Sequence, residues 1–128
     1  MKNKRKILLV EDDSFVTDIY YRKLISEGFS VIVASNGVEA MKELRKSSPD
    51  LILLDIMMPY MDGKEVLGKI KKDKKLKGIP VVMLTNLSEK DEIDEGIIKE
   101  ADKYLIKSHF SPSEVVKKIK ELLLENSK

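Results

Sequence analysis

The sequence predicts an α/β fold, in which a parallel sheet carries helices on both of its faces. Three observations support this prediction: short apolar runs recur along the chain, segments with apolar residues at helical spacing lie between them, and turn or capping residues separate the two. Connections of this length between strands are right-handed crossovers, which make neighbouring strands parallel and place helices above and below the sheet. The alternation therefore indicates a doubly wound sheet.

The first half of the chain contains two strand and helix pairs. Residues 7–10 (ILLV) predict the first strand, and the helix that follows ends at Gly28. The apolar residues at helical spacing in that helix are Phe15, Val16, Ile19, Tyr20 and Leu24. Residues 31–33 (VIV) predict the second strand, and a second helix opens at residues 36–37 (NG). The expected buried face of this second helix consists of Val38, Met41 and Leu44.

The second half begins with two more pairs. Residues 51–54 (LILL) predict a fully buried third strand, and Gly63 precedes a helix with apolar residues on one face. Those apolar residues are Val66, Leu67 and Ile70. Residues 81–84 (VVML) predict the fourth strand, and residues 88–91 (SEKD) resemble a capping box ahead of a fourth helix, with Ile93 and Ile97 on its apolar face.

The fifth strand is predicted at residues 104–106 (YLI). Residues 111–114 (SPSE) then combine a capping box with proline at the first helical position, which is a strong start signal for the last helix. Five strands that alternate with five helices fit a flavodoxin-like (βα)5 sheet with strand order 2-1-3-4-5. With 128 residues, the chain suits a single domain over residues 1–128, with a core of about residues 6–125.

Composition excludes several classes of protein. The chain is 42% hydrophobic and 36% charged, which is typical of a globular protein and not of a disordered one. The absence of cysteine excludes disulfides, thiolate metal sites and cysteine nucleophiles. No apolar run is long enough for a membrane span, and no signal peptide precedes the first strand, so we expect a cytoplasmic protein without a membrane partner.

Lysines are concentrated in one segment of the chain, residues 69–77. They are Lys69, Lys71, Lys72, Lys74, Lys75 and Lys77. A nucleic-acid interface usually interleaves basic with aromatic residues, and this segment contains no aromatic residue. We therefore interpret the segment as the solvated end of a helix and its loop, and we expect no direct binding of nucleic acid.

An acidic cluster is expected where the strand order reverses, outside the carboxyl ends of the first and third strands. The first strand is followed by Glu11, Asp12 and Asp13, and the third by Asp55. Carboxylates gathered in this way need a cation, and Mg2+, which prefers oxygen ligands, suits them best, with Mn2+ as a substitute. Asp13 lies next to Ser14 and is expected to be the N-cap of the first helix instead of a ligand.

Two further polar residues are expected at the same edge. The fourth strand ends at Thr85 and the fifth at Lys107, which add a hydroxyl and an ammonium group. Together with the acids and a metal they form a site for in-line phosphoryl transfer, where catalysis consists of positioning and charge neutralisation. Asp55, alone after a buried strand, is the best nucleophile for forming an acyl phosphate. Glu11 and Asp12 would then hold the metal, while the hydroxyl and the ammonium would bind phosphoryl oxygens.

Four motifs carry a resemblance to a known family: ILLVEDD, LILLDIMMPYMDG, PVVMLTN and DKYLIK. Over residues 7–124 the chain resembles the receiver domain of two-component response regulators. The resemblance implies that Asp55 accepts a phosphoryl group from a histidine kinase or a phosphotransfer protein. It also implies that Mg2+ is bound by Asp12, Asp55 and the backbone carbonyl of Met57, with Glu11 assisting.

The resemblance further implies a conformational switch. If Thr85 is drawn towards the phosphoryl group, the Tyr104 ring turns inward and reshapes the surface formed by the fourth predicted helix, the fifth strand and the last helix. That surface would bind a downstream protein target, which the sequence does not name, and the sequence leaves open whether phosphorylation drives homodimerisation. Such a chain is a signalling domain that catalyses its own phosphorylation and slow dephosphorylation, not an enzyme with a separate substrate. It either stands alone or is part of a longer regulator.

The chain departs from the family pattern at one point, and two alternative functions stay open. The family usually has Lys-Pro with a cis peptide bond after the fifth strand, whereas this chain has Lys107 and Ser108, for which we expect a trans bond. His109, in the same loop, is expected to be exposed. The alternatives are an Mg2+-dependent phosphohydrolase with an aspartyl nucleophile and a degenerate receiver that acts only as an interaction module. Such hydrolases usually have a second aspartate at the position of Met57.

Overall fold

The structure contains a parallel sheet, in the arrangement that the sequence predicts. The computed structural model describes residues 4–56, 58, 60–86 and 100–126. The strands are β1 (Lys6–Val10), β2 (Ser30–Ala34), β3 (Leu51–Leu54), β4 (Val81–Thr85) and β5 (Lys103–Ile106). The helices of the described part are α1 (Ser14–Ser26), α2 (Gly37–Lys46), α3 (Gly63–Lys72) and α4 (Pro112–Asn126), and a short 3-10 helix covers Lys107–His109.

The strand order is β2-β1-β3-β4-β5, and every neighbouring pair is parallel, which confirms the predicted topology. The chain winds away from β1 in one direction to β2 and in the other to β3. The fourth predicted helix, with its capping box at residues 88–91, lies outside the described residues, and α4 corresponds to the last predicted helix. Within the described residues, no helix combines the length and the apolar character that a membrane span requires.

The helices begin at capping residues that the sequence makes recognisable. The Asp13 carboxylate accepts the amide hydrogens of Phe15 and Val16, so the predicted N-cap of α1 is confirmed. Asn36 caps α2 and Asp62 caps α3 in the same way. At the start of α4, Ser111 and Glu114 exchange the two hydrogen bonds of a capping box, as predicted.

Two apolar clusters lie on the two sides of the sheet. One joins Ile7 and Leu9 of β1 to residues of α1 and α4, and the other joins Leu8 and Val10 to residues of α2 and α3. Successive residues of a strand point to opposite faces, and here helices cover both faces. The strands are therefore apolar along their whole length instead of alternating with polar residues.

The buried face of α2 differs from the expected one. Val38 is 40% exposed, whereas Gly37 and Ala40 are buried together with Leu44. The reason is close packing, since a Cβ at Gly37 would lie 2.3 Å from the backbone oxygen of Met61. Small residues therefore face inward at this end of the helix, and a pattern based on large apolar residues assigns the wrong face.

Helix α1 buries only part of its apolar residues. Tyr20 and Leu24 are buried, whereas Phe15 is 75% exposed and Ile19 39% exposed. One residue corresponds to a rotation of about 100° around a helix. Phe15 and Ile19, each one position before Val16 and Tyr20, therefore lie on a stripe that is turned towards solvent.

Two aspartates bind the first amide of a neighbouring strand. The Asp50 carboxylate accepts the Lys6 N–H at 2.7 Å, and the Asp102 carboxylate accepts the Val81 N–H at 2.7 Å. These amides begin β1 and β4, and hydrogen bonds to a charged acceptor are stronger than those to a neutral one. The two carboxylates therefore anchor the amino ends of two inner strands.

We expect Asp102→Ala to lower the free energy of unfolding by about 1–3 kcal/mol, because the Val81 N–H, in a buried strand, loses its acceptor. Asp102→Asn keeps an acceptor oxygen and should cost less. Urea denaturation followed by circular dichroism measures both values. Asp18→Ala removes only an exposed pair with Arg22 and is the control. An equal loss in the control would contradict the role of Asp102.

Candidate functional site

The carboxyl ends of β1 and β3 place two acids side by side. Val10 is the register partner of Leu54, so the next residues, Glu11 and Asp55, leave the sheet at equivalent positions. The pairing continues one residue further, because the Asp55 N–H donates to the Val10 oxygen and the Glu11 N–H to the Ala34 oxygen, each at 3.0 Å. The backbone therefore fixes both residues before their side chains are considered.

Three of the predicted acids meet at this edge. Carboxylate oxygens of Glu11, Asp12 and Asp55 all lie within 4.8 Å of one another. Glu11 and Asp55 are buried, at 4% and 6% exposure, whereas Asp12 is exposed. Oxygen donors of this kind, with one side open to solvent, suit a divalent cation such as Mg2+, which retains several waters. Asp13 caps α1 and is not part of the cluster.

The Lys107 ammonium reaches into the acidic cluster. Its Nζ lies 2.5 Å from Glu11 Oε1 and 3.6 Å from Asp55 Oδ2, and its side chain is only 12% exposed. The second oxygen of Glu11, Oε2, accepts the Asp13 N–H at 3.2 Å. The sequence analysis placed Lys107 at this edge, but it did not foresee that Glu11 is its nearest partner.

The segment after β5 directs Lys107 towards the acids. A 3-10 turn, Lys107–His109, follows the strand directly, and Phe110 then packs against one of the apolar clusters. No peptide bond among the described residues is cis, so the bond between Lys107 and Ser108 is trans, as predicted. His109 is exposed, which confirms the expectation for that residue.

Thr85 and Tyr104 lie on the same face of the sheet. Met83 is the register partner of Tyr104 and Thr85 that of Ile106, and residues two apart on a strand share a face. Thr85 is fully buried at the end of β4, and Tyr104 is half-buried against the apolar cluster of α2 and α3. The predicted switch residues are thus on adjacent strands, and their switching role stays a prediction.

Two glycines hold the loop between β3 and α3 in place. A Cβ at Gly63 would lie 2.2 Å from the Asp55 backbone oxygen, and the Gly63 N–H donates to the Ile56 oxygen at 2.8 Å. On the other side, Gly37 is in close contact with Met61. The sequence analysis missed this role, although glycine at the first position of two helices was the available signal. Met57, whose carbonyl was predicted as a ligand, lies outside the described residues.

Known proteins resemble this chain over nearly its whole length. The sequence model of the response regulator receiver domain matches residues 7–120. A probable transcriptional regulator, ycf27, of Guillardia theta is 35% identical over 128 residues, which cover 100% of this chain and 49% of the relative. The alkaline phosphatase synthesis transcriptional regulatory protein PhoP of Bacillus subtilis is 38% identical over 119 residues, which cover 93% of this chain and 48% of PhoP. The chain thus spans about half the length of the curated relatives that it matches.

Solved structures share the fold. A CheY-like response regulator receiver domain protein from Methanospirillum hungatei has a TM-score of 0.87 and 29% identity, and the match covers 98% of each chain. The response regulator protein TrrA from Thermotoga maritima, solved in complex with Mg2+ and BeF, has a TM-score of 0.79 and 35% identity, covering 92% of this chain and 98% of TrrA.

We expect Asp12→Asn to raise the free energy of unfolding by about 0.5–1.5 kcal/mol in EDTA, because it removes one negative charge from three crowded carboxylates that share a single ammonium. The gain should shrink in high salt. Urea denaturation at low and high ionic strength measures it. The control is Asp18→Asn, which lacks this crowding. A loss of stability in Asp12→Asn would show that the Asp12 charge is stabilised and not repelled.

Proposed function

The chain belongs to the response regulator receiver domain family, and we propose on that premise that Asp55 is the residue at which it accepts a phosphoryl group. The donor would be a histidine kinase or a phosphotransfer protein of a two-component system. The observation that carries the proposal is the position of the Asp55 carboxylate, which lies beside two further acids and within 3.6 Å of the Lys107 ammonium. This combination of groups suits phosphoryl transfer to a carboxylate.

The residues of the chain have distinct roles in this reaction. An Asp55 carboxylate oxygen attacks phosphorus, so that an oxygen–phosphorus bond forms while the donor's nitrogen–phosphorus bond breaks and the imidazole leaves. Lys107 lies where it can offset negative charge on the phosphoryl oxygens. The Thr85 hydroxyl, at the end of the neighbouring strand, would donate a hydrogen bond to one of them.

The acidic cluster fits a bound Mg2+ ion, with Mn2+ as a substitute. Asp12, Asp55 and the Met57 carbonyl would be its protein ligands, and the exposed side of Asp12 leaves room for water. When bound, the ion neutralises charge on the transferring phosphoryl group. Glu11 already accepts hydrogen bonds from Lys107 and the Asp13 N–H, which supports an assisting role for this carboxylate. The Mg2+ in the TrrA complex supports the same choice of metal.

The output would come from the surface around β5. Thr85 and Tyr104 share a face of the sheet, so movement of the threonine towards a phosphoryl group leaves space that the half-buried ring can enter. That shift would change the surface of β5, α4 and the fourth predicted helix, where a downstream protein or a second phosphorylated copy would bind. We do not expect residues 1–128 to bind nucleic acid directly; the relatives that are named DNA-binding regulators are about twice as long.

Incubation with Mg2+ and acetyl phosphate should add the mass of one phosphoryl group to the intact protein, because the small donor needs only the site itself. Asp55→Asn and an excess of EDTA should each abolish the addition. Intact-protein mass spectrometry measures the product. Asp62→Asn is the matched control, because Asp62 lies in the same loop but caps α3.

Two results would contradict this proposal. Modification of Asp55→Asn at the wild-type level would move the acceptor to another residue, and no added mass in the wild type would leave only an interaction module. Sustained release of phosphate from simple phosphate esters would favour the phosphohydrolase instead.

We expect Thr85→Ala to accept the phosphoryl group but to lose the response of Tyr104, because the hydroxyl that links them is absent. NMR spectra of protein with labelled tyrosine rings, before and after phosphorylation, report on the ring, and Tyr104→Phe identifies its signal. Ser26→Ala, which removes a hydroxyl at the exposed end of α1, is the control. An unchanged Tyr104 response in Thr85→Ala would contradict the coupling.

A further inference from the structure

A groove of about 660 Å3 lies between the end of α2 and the segment that follows α3. Its apolar floor is formed by Met41 and Leu44 of α2 and by Leu76. These residues precede β3 and β4, so the groove opens near the amino ends of the strands. It is therefore at the opposite edge of the sheet from Asp55, and it is not part of the acidic site.

The rim of the groove is strongly cationic. Four basic side chains line it: Arg45, Lys46, Lys69 and Lys75. Asp73 is the one carboxylate in the lining of the groove, and its Oδ1 accepts the Lys75 backbone N–H at 2.8 Å. The lining thus carries a marked excess of positive charge around an apolar centre.

The cations of the rim have little internal compensation. Within the part of the chain that the structure describes, no carboxylate lies within 4.0 Å of the charged groups of Arg45, Lys69 or Lys75. Lys71, from the same lysine-rich segment, instead turns away from the groove and lies 3.8 Å from Asp102. The rim charges are therefore available to a ligand.

Helix electrostatics explains only part of this arrangement. Basic residues in the last turns of α2 and α3, such as Arg45 and Lys69, interact favourably with the helix dipole. Lys75 lies beyond the end of α3, where that effect does not apply. A solvated helix end, the interpretation from sequence, also predicts no apolar groove beneath the lysines.

We propose that this groove binds an acidic, amphipathic segment of a partner protein. An apolar side chain of the segment would pack on Met41 and Leu76, and its flanking carboxylates would pair with the basic rim. A nucleic acid fits less well, because no aromatic residue lines the groove to stack on bases. A membrane surface fits less well too, because the apolar residues are in a concavity and do not project.

The test uses the full chain and a short helical peptide, labelled with fluorescein, in which glutamates flank two leucines. Fluorescence anisotropy should show binding that weakens about tenfold in the double variant Lys69→Glu and Lys75→Glu, because two attractive charges become repulsive. NMR chemical-shift changes on addition of the peptide should be centred on the groove. The control is Lys4→Glu with Lys117→Glu, which makes the same change of charge at exposed positions elsewhere.

Each component of the proposal can fail separately. Absence of binding, or equal weakening in the groove and control variants, would overturn it. Equal binding of a peptide with serine in place of leucine would remove the apolar contact and overturn it as well. Stronger binding of a single-stranded oligonucleotide at the groove would replace the acidic segment with a nucleic acid. Circular dichroism verifies that each variant is folded, and Met41→Gln, which preserves every charge, should weaken peptide binding on its own.

Discussion

The adjacency of β1 and β3 is the constraint on which the candidate site depends. Because Val10 and Leu54 are register partners, Glu11 and Asp55 must emerge together at one edge, whatever their charges. Two buried carboxylates at this distance repel each other, and the Lys107 ammonium, which comes from the far side of the sheet, offsets part of that repulsion. The site therefore joins three strands through charge as well as through backbone pairing.

The sheet tolerates this crowding because its apolar clusters stabilise both faces. Ile7 and Leu8 are adjacent residues of β1 that belong to different clusters, so each strand is stabilised from above and below. The electrostatic cost is confined to the carboxyl edge, while Asp50 and Asp102 anchor strands at the amino edge. Function and stability are thus located at opposite ends of the same strands.

The topology, the helix caps and the acidic cluster could be predicted from sequence because each depends on local pattern and on a general rule of parallel sheets. The exposed faces could not. Whether Val38 or Ala40 of α2 faces inward depends on the contact of Gly37 with Met61, which is distant in sequence. The pairing of Lys107 with Glu11 likewise depends on side-chain reach across the sheet, which no spacing in the sequence encodes.

The loop that follows Asp55 is enclosed by two backbones that touch it without intervening side chains. Gly63 rests on the carbonyl of Asp55, and Gly37 rests on that of Met61. Even a methyl group has no space at either contact, so the loop has no lateral freedom. Any rearrangement at the acid must displace it outward as a unit, which gives a chemical event at one carboxylate a defined mechanical direction.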